Sequence, residues 1–172
     1  MEQSVAVYYI IQPAEASSNL ARFDDMRYGF HADADTLWGG YLRTRSDGFG
    51  EEVQRRIVVG TYVLSAGYYD AYYVKAAQAR QALRESLVQA LREVNLIVVP
   101  TSPDTAFVSG TKQDPLAMYA EDRLTLQANL TGLPALSVPM RTDGLPRGIQ
   151  CIGGYGRESD LFAFARSVES RQ

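Results

Sequence analysis

An α/β fold is what this chain predicts, and three observations predict it. Short apolar runs rich in β-branched and aromatic residues stand at Val5–Gln12 and Leu96–Val99. Between and after them lie long segments with apolar residues every three or four positions. Two further apolar runs, Ala135–Met140 and Gly148–Gly153, bracket an Asp143-Gly144 turn signal. Buried strands alternating with amphipathic helices are the pattern of a sheet covered by helices.

The elements follow in order. Val5–Gln12, closed by Pro13, reads as a buried strand. Residues 14–31 are polar and irregular, with room for one helical turn. Asp33 or Asp35 is placed to cap a short helix over Thr36–Arg45, and Ser46–Gly50 reads as a turn. Glu51–Ala66 reads as a helix, because Val53, Ile57, Gly60 and Leu64 share one face and Glu51 and Glu52 favour the dipole of its first turn. Gly67 ends it. Tyr68–Val94 reads as a long second helix with a seam through Tyr72, Ala76, Ala79, Leu83, Leu87, Ala90 and Val94. Leu96–Val99, ended by Pro100, is the second buried strand, and residues 101–113 form a loop. Leu116–Leu130 reads as one helix ending at Gly132. The two runs around Asp143-Gly144 make a hairpin, and Glu158–Glu169 closes the chain as an amphipathic helix facing inward through Leu161, Ala165 and Val168. There are no repeats, low-complexity tracts or linkers, so one α/β unit is expected.

Composition narrows the function classes. The chain is 46% hydrophobic and 22% charged, an ordinary globular balance. A net charge of −3 gives no general pull toward nucleic acid. One cysteine, Cys151, and one histidine, His31, cannot build the usual zinc cluster, and neither sits in a nucleophile motif. No metal or cofactor site is expected in this chain. No apolar run reaches the length of a membrane span, and no leader pattern is present, so a cytoplasmic location is expected. Neither GxxxxGK[ST] nor a helix-opening GxGxxG occurs, so no phosphate cradle is expected.

Two charged residues stand out by helical spacing. Arg56 borders the Val53/Ile57/Gly60/Leu64 stripe, whereas Arg55 points away from it. Asp122 falls on the Tyr119/Leu126/Leu130 stripe, whereas Glu121 does not. An inward guanidinium and an inward carboxylate have two readings. They pair internally, or they hold the α-carboxylate and α-ammonium of a zwitterion. Ser17-Ser18 has no base or Gly-rich turn beside it and reads as turn or cap chemistry. In Tyr68-Tyr69-Asp70-Ala71-Tyr72-Tyr73, two or three tyrosines are expected to face the core.

Several blocks, taken in order, carry a resemblance. They are YYII at 8–11 with EASSNL at 15–20, DDMRYG at 24–29, GFGEEVQRR at 48–56 and SAGYYDAYY at 65–73, followed by PTSP at 100–103, DPLAMY at 114–119, NLTGLPA at 129–135 and GIQ at 148–150. Together they resemble the C-terminal portion of the A subunits of the tRNA-dependent amidotransferases that act on Glu-tRNA(Gln) and Asp-tRNA(Asn), members of the amidase signature family. The resemblance implies a partial amidase-signature fold, a mixed β-sheet layered by helices, with residues 1–172 forming the C-terminal part of one domain and the N-terminal catalytic part absent. It implies a glutaminase that releases ammonia with a Ser–cis-Ser–Lys triad. That triad has no match here, and neither Lys75 nor Lys112 falls at the position of the catalytic lysine. It implies glutamine binding by Tyr8, Arg56 and Asp122, partnership with B and C subunits in a heterotrimer, ATP and Mg in the partner, and mischarged tRNA bound mainly through that partner. Gln12 and Asp25-Met26 depart from the family pattern, which usually has glycine and then a small apolar residue at 25–26. Two other readings are a catalytically inactive subunit-binding chain and another amidase-signature hydrolase. A sheet lacking its neighbouring strands leaves open edges and apolar surface, so the isolated chain is expected to aggregate. Light scattering during a thermal ramp checks this; cooperative unfolding of a monomer at high temperature contradicts it.

Overall fold

The computed structural model describes residues 2–111 and 114–171. Lys112 and Met1 lie outside the described residues. The chain divides into two compact units, one of Met1–Tyr8 with Gln78–Gln172 and one of Tyr9–Ala77.

The first segment corrects the sequence reading. Residues Glu2–Leu20 form a helix, α1, where a strand over Val5–Gln12 was expected. Buried along it are Ser4, Val7, Ile11, Ala14 and Ser17, which recur at helical spacing, together with Pro13. The run between them is apolar enough to hide that period, and a short apolar run does not distinguish strand from helix. Pro13 sits inside α1 rather than ending it. Proline withholds one helical hydrogen bond. Nearby, the Ser17 and Ser18 hydroxyls both donate to the Ala14 carbonyl, at 2.9 and 3.1 Å.

In the second unit, α2 spans Leu37–Gly48 and α3 spans Glu51–Val63. The cap of α2 is Thr36, whose Oγ1 accepts from the Gly39 amide at 3.0 Å, and not Asp33 or Asp35. The helix runs on through the expected turn to Gly48, where its end is held from outside. The Gln54 amide donates to the carbonyls of Ser46 at 2.9 Å and Phe49 at 2.6 Å, satisfying groups that a helix end leaves open. In α3 the expected face holds: Gly60 is buried, and Val53, Ile57 and Leu64 are half-buried. Gly60 lies against Pro13, and a Cβ there would overlap the Pro13 carbonyl oxygen and stand 2.7 Å from Ser17 Oγ. The expected second helix begins as a π-helical turn over Tyr69–Val74 and continues as α4, Lys75–Glu93.

In the first unit, β1 (Leu96–Pro100), β2 (Ala135–Met140) and β3 (Arg147–Gly153) form an antiparallel sheet in the order β1-β3-β2. Ile152 pairs with Ile97 on one side and Ala135 on the other. The buried Ala128, Leu133 and Ile152 pack with Leu87, Val88, Leu91 and Ile97. Where one helix over Leu116–Leu130 was expected, α5 (Pro115–Tyr119), a 3-10 segment (Ala120–Leu124) and α6 (Leu126–Thr131) follow one another. Asp114 caps α5 by accepting from the Leu116 and Ala117 amides. Gly132, at φ +70°, ends α6 in the left-handed conformation that glycine adopts at least cost. The last helix, α7 (Glu158–Glu169), buries Leu161 and Ala165 and packs on β2 and β3.

Gly60→Ala is expected to destabilise the protein by about 3 kcal/mol, since backbone atoms and not a flexible side chain must move. The shift in urea midpoint against the parent protein measures it. Thr36→Ala is expected to cost about 1 kcal/mol through loss of the α2 cap, read the same way.

Candidate functional site

The three residues singled out for binding sit in different settings. Tyr8 lies half-buried in α1, on a helix where a strand was expected. Arg56 lies on α3, half-buried, four residues before the buried Gly60. Asp122 lies in the 3-10 segment and is exposed. This corrects its expected inward orientation. A 3-10 helix turns about 120° per residue instead of about 100°, so the stripe from Tyr119 to Leu126 is broken and Glu121 becomes the more buried of the two carboxylates. Tyr8 and Asp122 belong to the first unit and Arg56 to the second.

Arg56 has the most informative surroundings. Its side chain is 32% exposed and its Nε stands 3.2 Å from Glu52 Oε1. That approach is close enough for charge attraction, but it is not aligned for a hydrogen bond. Nε is buried with no hydrogen-bond partner. A buried guanidinium N–H without an acceptor costs free energy until one arrives. The neighbouring Arg55 also pairs with Glu52 and is more exposed, in keeping with its outward position.

The other candidates resolve differently. Ser17 and Ser18 turn their hydroxyls back onto the Ala14 carbonyl, so both are engaged with their own helix. Cys151 is fully buried in β3 and its thiol donates to the Leu136 carbonyl at 3.3 Å. Burial pushes that thiol's pKa up, which disfavours the thiolate a nucleophile requires. The tyrosines correct their expected packing. Tyr68, Tyr69 and Tyr72 are exposed and only Tyr73 is half-buried, because the wider π turn does not keep the α-helical seam. Tyr69 stacks on Tyr73 with centroids 5.2 Å apart, and Tyr68 meets Tyr62 on α3 in a tilted contact at 4.3 Å. The hydrogen bond to Tyr68 pushes the Tyr62 hydroxyl up to about 12.

Two arrangements escaped the sequence reading. The first is a cavity of about 880 Å³ where the loop after β1 meets the β2–β3 hairpin, lined by Thr101, Ser102, Asp104, Ser137 and Arg147 among others. The Thr101 and Ser137 hydroxyls meet there at 2.7 Å, and a Cβ on Gly148 would press on both. None of Tyr8, Arg56 and Asp122 lines this cavity. The second is a polar cluster around Asp25. Its signal was the departure from glycine at that position. Among the described residues no group of His, Cys, Asp and Glu is placed to hold a metal ion. No helix among them is long and apolar enough to cross a membrane.

The chain is 55% identical over 166 residues to the A subunit of glutamyl-tRNA(Gln) amidotransferase from Nostoc punctiforme, covering 94% of this chain and 34% of that protein. It is 52% identical over 171 residues to the protein of the same name in Listeria monocytogenes serotype 4a, covering 98% of this chain and 35% of the relative. It thus spans about a third of the length of the curated relatives it matches. In structure it is similar to the A subunit of glutamyl-tRNA(Gln) amidotransferase from Thermotoga maritima, with a TM-score of 0.68 and 42% identity, over 98% of this chain and 32% of that one. The α/β fold described above is therefore part of an amidase-signature fold. The family model for amidases matches residues 1–162, and the chain belongs to the amidase family.

Proposed function

We propose that this chain forms part of the glutamine-hydrolysing subunit of a tRNA-dependent amidotransferase, and that it binds glutamine rather than cleaving it. The observation that carries the reading is the buried Arg56 Nε with no hydrogen-bond partner. A guanidinium fork matches a carboxylate in shape and charge, and the partly exposed Arg56 side chain, which faces Glu52 through Nε, offers the rest of its fork to an α-carboxylate. Asp122, exposed in the 3-10 segment, offers a carboxylate for the α-ammonium. Tyr8 offers a phenol to a polar group of the same amino acid. A free amino acid differs from other amides by its two charged α-groups, which a guanidinium and a carboxylate each recognise. The relatives' shared description as amidotransferase A subunits supports this substrate.

In this reading the nucleophile that opens the side-chain amide is supplied outside these residues. Released ammonia passes to a partner that uses ATP and Mg to activate Glu-tRNA(Gln) or Asp-tRNA(Asn). The partners are the B and C subunits of a heterotrimer, the tRNA is held mainly by the partner, and the assembly works in the cytoplasm.

Arg56→Ala in the complete amidotransferase is expected to lower kcat/KM for glutamine roughly a hundredfold, mostly through KM, since a hydrogen bond to a charged group contributes up to about 3 kcal/mol. Asp122→Asn is expected to move in the same direction. Activity with free ammonium as nitrogen donor should be untouched in both. Steady-state kinetics with each donor decides the matter, and unchanged glutamine kinetics in both variants removes the assignment.

A further inference from the structure

We propose that Asp25, His31 and Thr44 form a proton-operated clasp that fastens the loop 21–36 onto α2, tight while His31 carries its proton and looser once it is lost. Among the described residues Asp25 is the non-glycine with positive φ, at +72°. An aspartate held there costs on the order of 1 kcal/mol and persists only where its surroundings fix it. Here they do. Its carboxylate, 6% exposed, accepts from the Thr44 hydroxyl and stands 2.7 Å from His31 Nδ1. The Ala32 amide donates to Thr44 Oγ1 at 2.8 Å and reaches Asp25 Oδ1 at 3.4 Å. Gly40 on α2 makes room, because a Cβ there would overlap Asp25 Oδ2.

A carboxylate so enclosed is held well only when a cation faces it. The other charged groups nearby are committed elsewhere. Arg27 pairs with Asp24 at 2.6 Å, Arg43 on α2 donates to the Asp33 carbonyl, and Arg45 on α2 donates to the carbonyls of Leu20 and Phe23. Asp47 on α2 accepts from Ser46. His31 therefore supplies the cation. Its second ring nitrogen faces Asp33 Oδ1 at 3.6 Å, so the imidazolium lies between two carboxylates.

The Asp25 carbonyl foremost, and then its carboxylate, hold His31 above its ordinary value of 6.5. The Thr44 hydroxyl foremost, working against burial, and then the His31 charge hold Asp25 below its ordinary 3.8. The signs follow by linkage. The contribution of His31 is fully present below 6.5 and is lost as pH rises through its raised folded value. That of Asp25 is present above 3.8 and is lost as pH falls through its lowered folded value. The clasp is therefore tightest between those two ordinary values and loosens on the alkaline side.

Hydrogen exchange of the peptide covering residues 25–36, read by mass spectrometry in the complete protein and corrected for intrinsic rates, tests this. Protection is expected to fall about threefold or more between roughly pH 6 and pH 8.5. In His31→Gln the corrected protection should not change over that range. Asp25→Gly, which accepts the positive φ without cost, should also be flat while unfolding stays cooperative. A flat profile in the parent protein, or an unchanged slope in either variant, overturns the clasp.

Discussion

Strand β3 is the constraint on which the first unit depends. It hydrogen-bonds on both edges, and its Gln150, Cys151 and Ile152 are all buried. Because strand side chains alternate, a slip of one residue against either neighbour would exchange its two buried faces and force Cys151 and Ile152 into each other's surroundings. The register also reaches beyond the sheet. Gln150 donates its side-chain amide to the Leu124 carbonyl at 3.0 Å, at the end of the 3-10 segment. The setting of Asp122, two residues earlier, thus rests on a bond from the central strand. Tyr155, just beyond β3, donates to the Thr131 carbonyl and lies under the Arg84 guanidinium, which ties the end of α6 and one face of α4 to the same strand.

In the second unit the corresponding constraint is the approach of Gly60 to Pro13. Contact between a helix backbone and a carbonyl oxygen admits only a narrow range of rotations of α3 about its axis. Arg56 lies one turn before Gly60, so the rotation that seats the glycine also turns the guanidinium toward the buried side. A residue with no side chain thereby sets the orientation of one with the longest.

What could be read from sequence follows from how strongly each segment's period is written. The face of α3, the strands β1, β2 and β3, and the helix α7 were legible because apolar spacing there is regular and no competing period is present. Segment α1 was not, because Tyr8, Tyr9, Ile10 and Ile11 fill the positions between its buried residues, and Pro13 imitates a strand stop. The break around Asp122 was not legible either. A 3-10 turn and an α-helix share local propensities, and the hydrogen bond from Gln150 that meets the break comes from 26 residues away. Of the candidate site, Arg56 was legible as a half-buried charge at the edge of an apolar face, while the orientation of Asp122 was not. The cluster around Asp25 was visible only as a departure from a family pattern, since its partners His31 and Thr44 lie 6 and 19 residues away.

The strand order has a consequence for how the first unit assembles in time. Only six residues separate β2 from β3, whereas 46 separate β1 from β3. Loop-closure entropy rises with the logarithm of loop length, so closing the longer loop costs about 2 kcal/mol more. The β2–β3 hairpin belongs to the class of structures that form within about 1–10 μs, while β1 must wait for a long-range encounter. Until β1 arrives, one edge of β3 is an open template, carrying the backbone groups that will later pair with Leu96–Pro100. The central strand of the finished sheet is thus, during folding, its exposed edge, and the interval before β1 docks is when the chain is most open to pairing with another copy of itself.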